Sequence, residues 1–304
     1  MSEQNETIVL CPGQGAQQVG MGRVWAEVSP EAAAVFAEAN DLLGLDLRKL
    51  CFEGPEDQLN RTDIAQAAIY TTSVACYRAL VARGALGPIK ATAGLSLGEF
   101  TALHLAGAFD FATGLKLVRL RGQAMQDAAD ASAGGMVALI GADDAQAEAL
   151  CDEARGSDVL TPANFNAPGQ IVISGSAAAC ERALGVAEKM GLRATPLKVA
   201  GAFHSPLMQP AADRLAAALQ EAAWSSPSVP VVSNVTAQPH DNDPASIREL
   251  LVAQLTSPVR WSQSMSWMIA NVPGRYVELA PNKVLAGLMR RIDRNVKVEN
   301  YSEP

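Results

Sequence analysis

Short apolar runs alternate along this chain with longer amphipathic segments. The short runs have the length and residue types of buried strands; they span residues 7–11, 89–93, 229–232 and 276–279. Segments between them, such as residues 63–83 and 110–125, carry apolar residues at helical spacing. Alternation of this kind predicts a mainly parallel sheet between helices.

A different order of elements occupies the middle of the chain. It contains strand 136–140, helix 143–154, strand 159–163, strand 170–174, helix 177–189 and strand 192–198. This βαββαβ order is that of the split, ferredoxin-like motif. Because Gly134, Gly135 and Gly201 bracket the segment, we predict a compact domain inserted into a larger one, with a cleft between the two.

The predicted fold class is therefore α/β, with an α/β-hydrolase-like large domain and a ferredoxin-like small domain. The large domain takes residues 1–130 and 200–304, and the inserted domain takes residues 131–199.

A candidate nucleophile lies where a predicted strand meets a predicted helix. Residues 94–98 read Gly-Leu-Ser-Leu-Gly, after the apolar run 89–93 and before a helical segment. A serine flanked by glycines in this context fits the sharp turn called a nucleophile elbow, which lifts the hydroxyl clear of the backbone. Ser96 is the candidate.

A serine hydroxyl needs a base, most often histidine, and the chain has three histidines. His104 lies eight residues beyond Ser96 on the same predicted helix and points away from the turn, so we interpret it as structural. His240 lies in a polar, proline-bounded loop and is interpreted as solvated. His204 follows the return from the inserted domain and is the candidate base, with a helix-capping role as the alternative.

A glycine-rich loop follows the first predicted strand. Residues 13–18 read Gly-Gln-Gly-Ala-Gln-Gln and lack the third glycine of a dinucleotide fingerprint, so a Rossmann cofactor is not expected. In the elbow architecture one oxyanion donor is the amide after the nucleophile, here Leu97, and a strand-end loop supplies the second, here Gln14.

Four polar residues are open to more than one interpretation. Arg119 and Arg121 face different sides of one predicted helix, so one is a surface charge while the other enters the cleft to hold a carboxylate; periodicity does not choose between them. Asn164 and Asn166 are typical of a turn between strands, with substrate contact as the alternative.

Composition narrows the class of protein. A net charge of -8 over 304 residues disfavours a nucleic acid partner. Five widely spaced cysteines without a CxxC pair indicate buried, reduced thiols rather than disulfides or a metal site. A polar start and the lack of a long apolar stretch predict no membrane contact and a cytoplasmic location.

Six motifs together carry a family resemblance. They are Pro-Gly-Gln-Gly at 12–15, Gly-Leu-Ser-Leu-Gly-Glu at 94–99, Arg-Leu-Arg-Gly at 119–122, Asn-Phe-Asn-Ala-Pro-Gly-Gln at 164–170, Gly-Ala-Phe-His-Ser-Pro-Leu-Met at 201–208 and Gln-Leu-Thr-Ser-Pro-Val at 254–259. In this order, over nearly the whole chain, they resemble the malonyl-CoA:acyl carrier protein transacylases. That family's architecture also contains an inserted ferredoxin-like domain.

The resemblance implies a catalytic dyad. Ser96 is similar to the family nucleophile and His204 to its base, while Gln14 and Leu97 match the oxyanion-hole amides. Gln254 matches the glutamine whose main-chain carbonyl orients the histidine, so no acidic third member is required.

The resemblance also implies a substrate pocket. It selects Arg121 as the clamp on the malonyl carboxylate and adds Phe203 and Asn166 as substrate-binding residues. Phe203 would crowd an α-methyl branch, which favours malonyl over methylmalonyl groups. Two positions depart from the family pattern, since Leu95 and Gly201 stand where histidine is common.

The implied activity is transfer of malonyl from malonyl-CoA to the phosphopantetheine thiol of acyl carrier protein, for fatty acid synthesis. No cofactor or metal is expected, since the coenzyme A thioester is a substrate. The alternatives are an acyltransferase of a polyketide pathway, a serine esterase or thioesterase, and a non-catalytic carrier-binding module. A basic C-terminal run is a candidate docking surface for an acidic carrier protein, or else a solvated face; it contains Lys283, Arg290, Arg291, Arg294 and Lys297.

Overall fold

The computed structural model describes residues 6–304. Nine strands run through this part of the chain: β1 (Thr7–Cys11), β2 (Ile89–Gly94), β3 (Gly134–Ile140), β4 (Leu160–Ala167), β5 (Gln170–Ser176), β6 (Arg193–Pro196), β7 (Val231–Val232), β8 (Arg275–Leu279) and β9 (Val298–Tyr301). Its helices are α1 (Arg23–Val28), α2 (Pro30–Leu43), α3 (Leu47–Glu53), α4 (Glu56–Leu59), α5 (Thr62–Ala82), α6 (Leu97–Leu105), α7 (Phe111–Ala131), α8 (Asp144–Arg155), α9 (Ala177–Lys189), α10 (Gln209–Glu221), α11 (Pro244–Ala253), α12 (Trp261–Asn271) and α13 (Val284–Ile292). A 3₁₀ turn, Pro206–Met208, precedes α10.

The large sheet confirms the predicted parallel architecture. Its order is β7-β2-β1-β8-β9, and every pairing in it is parallel. The outer strand β9 was not predicted, because residues 298–301 read Val-Glu-Asn-Tyr, with two polar residues in the middle rather than an apolar run.

Strand β1 explains why the sheet is covered on both faces. All five of its residues are buried. Val9 and Cys11 point into a core shared with α2, α5 and α7, whereas Ile8 and Leu10 point into a core shared with α12 and α13. Successive side chains of a strand face opposite sides, so a strand apolar throughout is stable only with helices on both sides.

The small sheet is antiparallel, in the order β4-β5-β3-β6, which is the ferredoxin-like arrangement for a βαββαβ unit. One face of it packs against α8 and α9 through residues such as Leu139 and Ile173. From the other face, Met136 and Val172 join the core of the large unit. The second face therefore lines the junction between the two sheets.

The asparagines at 164 and 166 lie in a strand, not in the turn that their residue type suggested. Strand β4 continues to Ala167, and the turn is formed by Pro168 and Gly169. The reason is tertiary pairing: Phe165 N–H donates to Val259 O at 2.9 Å, and Val259 N–H donates to Ala163 O at 2.8 Å. This pairing satisfies the backbone of β4 and ties the small sheet to the segment that follows α11.

In residues 6–304 we find no helix that combines the length and the apolarity needed to cross a bilayer.

Candidate active site

Ser96 occupies a strained turn between β2 and α6. Its φ of 53° and ψ of -104° fall in a region that residues with a side chain rarely adopt. Its backbone is held on both sides, because Ser96 N–H donates to Asn234 Oδ1 at 2.6 Å and Ser96 O accepts from Gln254 Nε2 at 3.1 Å. The elbow predicted from residues 94–98 is present, and tertiary hydrogen bonds stabilise it.

Two glycines make the elbow sterically possible. A Cβ on Gly94 would lie 1.9 Å from the main-chain carbon and oxygen of Gly98, and a Cβ on Gly98 would lie 2.1 Å from Cys11 O. Both distances are far below van der Waals contact, so α6 packs this closely to β1 and β2 only without side chains at these positions.

His204 meets the candidate nucleophile directly. Its Nε2 lies 2.8 Å from Ser96 Oγ, and its Nδ1 lies 2.8 Å from the main-chain oxygen of Gln254. A carbonyl oxygen only accepts, so Nδ1 carries the proton and Nε2 is free to accept from the serine hydroxyl. His204 also has a positive φ, 57°, so both members of this pair lie in strained backbone.

The environment of His204 keeps its imidazole neutral. Burial and the positive charge of Arg121 lower the pKa of His204 to about 4, and the hydrogen bond to the carbonyl of Gln254 only partly opposes them. A neutral imidazole at pH 7 is the form that accepts a proton from serine.

Arg121 is buried and directed at the same hydroxyl, whereas Arg119 is not. Arg121 Nη2 donates to Ser96 Oγ at 3.0 Å and to Gln254 Oε1 at 2.8 Å, and Nη1 donates to Gln66 Oε1 at 2.7 Å. Only 1% of Arg121 is exposed. Arg119 is bound instead to Asp63 on α5.

Burial lowers the pKa of Arg121 but leaves the guanidinium protonated. Burial lowers the pKa of the guanidinium to about 10, while the charge of Glu99 raises it. Arg121 is therefore a cation at neutral pH.

Two main-chain amides are free near the nucleophile. Leu97 is the first residue of α6, where an N–H has no partner within the helix, and the Gln14 loop lines the same cavity as Ser96. Within residues 6–304 neither amide donates to a protein acceptor. Free donors beside a nucleophile are what an oxyanion hole requires.

A cavity of about 380 Å³ opens in front of Ser96. Its polar lining consists of Gln14, Gln17, Asn60, Asn164, Asn166, Lys198 and His204, and its apolar lining of Leu95, Met125, Met136, Val172, Leu197, Val199 and Phe203. The Oδ1 atom of Asn166 is buried there without a hydrogen-bond partner in the described part of the chain. All the candidate substrate-binding residues except the deeper Arg121 face this space.

A second cavity, of about 680 Å³, lies between the start of α8, the β4–β5 turn and α12. None of the candidate catalytic residues lines it, so its size does not make it the active site.

The interpretation of His240 as a solvated loop residue is wrong. The chain after β7 folds back, with His240 N–H donating to Val231 O at 2.8 Å, and the side chain points inward. There His240 Nε2 contacts Glu99 Oε1 at 2.7 Å, and both side chains are 1% exposed. Polar flanking residues misled the interpretation, because the main chain turns them outward while the imidazole packs inside.

Glu99 and Asn234 are site residues that sequence reasoning missed. Glu99 Oε2 accepts from Gln254 Nε2 at 2.5 Å and from Asn234 N–H at 3.2 Å. An acid inside an apolar helical segment was the available signal for Glu99. Asn234 lies in a loop after a two-residue strand and gave no comparable signal. His104, by contrast, is structural as predicted, since its Nδ1 bonds Phe109 O at 3.0 Å.

Known proteins share this architecture. The sequence model of the acyl transferase domain family matches residues 8–301. The chain is 44% identical over 294 residues to the malonyl CoA-acyl carrier protein transacylase of Escherichia coli strain K12, which covers 96% of this chain and 94% of that protein.

Solved structures of related proteins share this fold over nearly the whole chain. The malonyl-CoA:acyl carrier protein transacylase of Xanthomonas oryzae pv. oryzae superposes with a TM-score of 0.95 at 44% identity, covering 100% of this chain and 96% of that one. A malonyl-transacylase solved in complex with a type II polyketide synthase acyl carrier protein gives 0.94 at 39% identity, covering 98% and 96%. These matches confirm the resemblance drawn from the six motifs, and the chain belongs to the acyl transferase family.

Proposed function

We propose that this protein transfers the malonyl group of malonyl-CoA to the phosphopantetheine thiol of acyl carrier protein, supplying extender units for fatty acid synthesis. The observation that carries the proposal is the convergence of His204 Nε2 and Arg121 Nη2 on Ser96 Oγ, at 2.8 and 3.0 Å. A base activates the hydroxyl, and a cation beside it selects an acyl group that ends in a carboxylate.

The first half-reaction forms an acyl-enzyme. His204 takes the proton of Ser96, and Oγ attacks the thioester carbonyl carbon. The oxyanion is stabilised by the amides of Gln14 and Leu97. When the tetrahedral intermediate collapses, the carbon–sulfur bond breaks, the coenzyme A sulfur takes the proton from His204, and malonyl-serine remains.

The second half-reaction reverses the roles. The pantetheine thiol of the carrier protein gives its proton to His204 and attacks the ester carbonyl. The same two amides stabilise the second oxyanion. Ser96 leaves and takes the proton back, so the enzyme returns to its starting state and the carrier holds the malonyl thioester.

Arg121 supports selection of malonyl by its position. In a malonyl ester one methylene separates the ester carbon from the carboxylate, so the negative charge lies within a few ångströms of Oγ. Arg121 Nη2 lies at that range. The pair is charge-assisted and forms at a buried guanidinium, which favours malonyl over acetyl groups. Phe203 and Asn166 are proposed to contact the acyl and pantetheine parts of the substrate.

Gln254 orients the base through its main-chain oxygen, which fixes the Nδ1–H tautomer of His204. A neutral carbonyl in the third position does not stabilise an imidazolium as an aspartate does. We propose that this weaker stabilisation suffices for acyl transfer between a thioester and a serine hydroxyl.

The basic C-terminal run is divided between the two edges of the large sheet, because Lys283 stands at the start of α13, where β8 ends, and Arg290 and Arg291 stand at its other end. Helix α13 connects two parallel strands, β8 and β9, so it runs antiparallel to them. Its last turn, with Arg290 and Arg291, therefore lies at the edge where the strands begin, whereas Ser96 lies at the edge where β2 ends. We propose instead that an acidic carrier docks at the cavity mouth, where Lys198 lies between two half-exposed apolar residues, Leu197 and Val199.

We also propose that residues 131–199 constitute the inserted domain, because all four strands of the antiparallel sheet fall in this range. The cytoplasmic location expected from the sequence stays a prediction.

One experiment separates the proposed enzyme from a non-catalytic carrier-binding module. The enzyme is acylated with labelled malonyl-CoA, and mass spectrometry locates the label; a label on a peptide containing Ser96 is expected, and no label would favour a non-catalytic carrier-binding module. The polyketide alternative has one specific support, the relative solved with a type II polyketide synthase carrier. Steady-state rates with a fatty acid carrier and a polyketide carrier distinguish the two pathways.

A further inference from the structure

In the described part of the chain, Arg121 is a buried cation without an ion pair. Its hydrogen-bond partners are the side-chain oxygens of Gln66, Ser96 and Gln254, all of them neutral, and its Nε has no partner in residues 6–304. A buried charge that lacks a counter-charge is costly for the folded state. The nearby Asp63 does not supply it, because Arg61 and Arg119 bind that carboxylate.

Glu99 is a buried anion on the other side of a single amide group. It is fully buried; its Oε2 accepts from Gln254 Nε2 and from Asn234 N–H, and its Oε1 lies 2.7 Å from His240 Nε2, which donates in the tautomer that carries the proton there. Oxygens surrounded by donors fit the ionised carboxylate. The side chain of Gln254 joins the two charges, since its Oε1 accepts from Arg121 at 2.8 Å and its Nε2 donates to Glu99 at 2.5 Å.

We propose that Glu99 is the counter-charge of Arg121, held one amide away so that the guanidinium stays stabilised by neutral hydrogen-bond partners and the malonyl carboxylate has no directly bound carboxylate to displace. A direct Arg121–carboxylate pair would neutralise the cation equally well, but it would compete with the malonyl group. Gln254 transmits the interaction because its amide dipole is aligned between the two charges. Glu99 thus acts as a positioning residue for selection of malonyl, and it touches neither substrate nor Ser96 Oγ.

Two further features support this arrangement. The charge of Glu99 raises the pKa of Arg121 against the opposite effect of burial. Glu99 also holds Gln254 in one of its two amide orientations: rotated by half a turn, Gln254 would aim a donor at Arg121 and an acceptor at the carboxylate. The inference rests on the proposed role of Arg121, but its principal test needs no substrate.

The test is a thermal double-mutant cycle with Glu99→Gln and Arg121→Gln. The first change is close to isosteric: the new amide can donate to His240 Nε2, whose imidazole moves its proton to the unpartnered Nδ1, and can still accept from Gln254. Each single variant leaves one buried charge alone and lowers Tm. The double variant removes both charges, so its loss should be smaller than the sum of the single losses by about 2–6 °C.

Glu278→Gln is the matched control. Glu278 is also a fully buried carboxylate, but it accepts from the backbone of Leu285 and Ala286, away from the site. Its Tm loss should add to that of Arg121→Gln without coupling. If the Tm losses of Glu99→Gln and Arg121→Gln simply add, as those of Glu278→Gln and Arg121→Gln should, the proposal is overturned whatever the activity of the enzyme. Failure of the proposed function would appear separately, as the absence of malonyl-serine.

A second test moves the carboxylate from position 99 to position 66, in direct contact with Arg121. Gln66→Glu places a carboxylate directly on Arg121 Nη1. Combined with Glu99→Gln, it should restore Tm but lower the malonyl-to-acetyl ratio of kcat/KM at least about tenfold, since the cation is now neutralised directly. If Glu99→Gln alone does not fold, recovery of folding on addition of Gln66→Glu supports the proposal. If neither Gln66→Glu nor Arg121→Gln restores folding to Glu99→Gln, the proposal is contradicted. Restored stability with undiminished malonyl selectivity would also contradict it.

Discussion

The imidazole of His204 lies 2.8 Å from Ser96 Oγ, although 108 positions separate the two residues in the sequence. Both have a positive φ, an unusual conformation for residues with side chains. The fold holds both conformations through Gln254, which accepts from His204 at its main-chain oxygen and donates to Ser96 O from its side chain. The dyad therefore depends on a third residue that takes part in no bond change.

The acid limb of the pH profile follows from the burial of His204. Because its pKa is lowered to about 4, kcat/KM for malonyl-CoA should stay level from pH 8 to about 5 and fall to half near 4. The stability of the fold depends on the same group. The unfolded chain protonates this histidine below about pH 6.5. The contribution of the neutral, buried imidazole to the free energy of unfolding is therefore complete above pH 6.5 and is lost as the pH falls toward 4. Circular dichroism at each pH controls for unfolding, and an activity limb near 6.5 in folded enzyme would contradict the prediction.

Arg121→Ala tests the carboxylate clamp. The variant should lose kcat/KM for malonyl-CoA by roughly 100-fold, the effect of removing a buried charge-assisted hydrogen bond of about 3 kcal/mol. Acetyl-CoA lacks the carboxylate and should be affected much less. Arg119→Ala is the control, since that guanidinium binds Asp63 outside the site. An unchanged malonyl preference in Arg121→Ala would exclude the clamp.

Phe203→Ala tests the proposed exclusion of branched acyl groups. Phe203 is 6% exposed and lines the cavity in front of Ser96. Its removal should raise the methylmalonyl-to-malonyl ratio of kcat/KM by about tenfold, since one methyl group in a pocket accounts for about 1–3 kcal/mol of discrimination. Competition assays with both thioesters measure the ratio directly. The same ratio in wild type and variant would leave Phe203 with a packing role alone.

Gly98→Ala tests the close packing of the elbow. The added Cβ would meet Cys11 O at 2.1 Å, so either β1 or α6 must shift, at a cost of about 1–3 kcal/mol. Gly185→Ala in α9 is the control: it has open space around the new Cβ and should be neutral or stabilising by up to about 1 kcal/mol. Denaturant unfolding of both variants measures the difference, and equal stabilities would show that the elbow tolerates a side chain.

Lys198→Glu tests the docking surface at the cavity mouth. Reversal of this charge should raise KM for acyl carrier protein severalfold at low salt, and the effect should shrink as salt screens it. The variant Arg290→Glu/Arg291→Glu carries two reversals at the far edge of the sheet and should keep the wild-type KM. The opposite result in the two variants would return the docking surface to α13.

Local chemistry in the sequence was sufficient to predict the elbow at Ser96, to select His204 as the histidine to pair with it, and to predict most of the fold. Glycines around Ser96 predict the elbow because its steric requirement is local. Buried strands such as β1 are apolar throughout, so the parallel sheet was also predictable. The choice between Arg119 and Arg121 needed either a family resemblance or coordinates, because helical periodicity separates their faces without saying which one meets the cleft.

Residues whose roles depend on distant partners escaped prediction. Glu99, Asn234 and His240 come from three separate segments and form one hydrogen-bonded cluster only after folding. Each looked ordinary in its own surroundings, and His240 looked solvated. Residue type favours a turn at Asn166 over substrate contact, yet pairing of β4 with Val259 extends the strand past it.

The most direct test is one assay with malonyl-CoA, with and without acyl carrier protein, in which malonyl-carrier and free malonate are followed together. The account predicts that one coenzyme A equivalent per enzyme is released without carrier, that carrier malonylation then proceeds with little free malonate, and that Ser96→Ala abolishes both. Release of free malonate as the main product, or carrier malonylation that persists in Ser96→Ala, would contradict it.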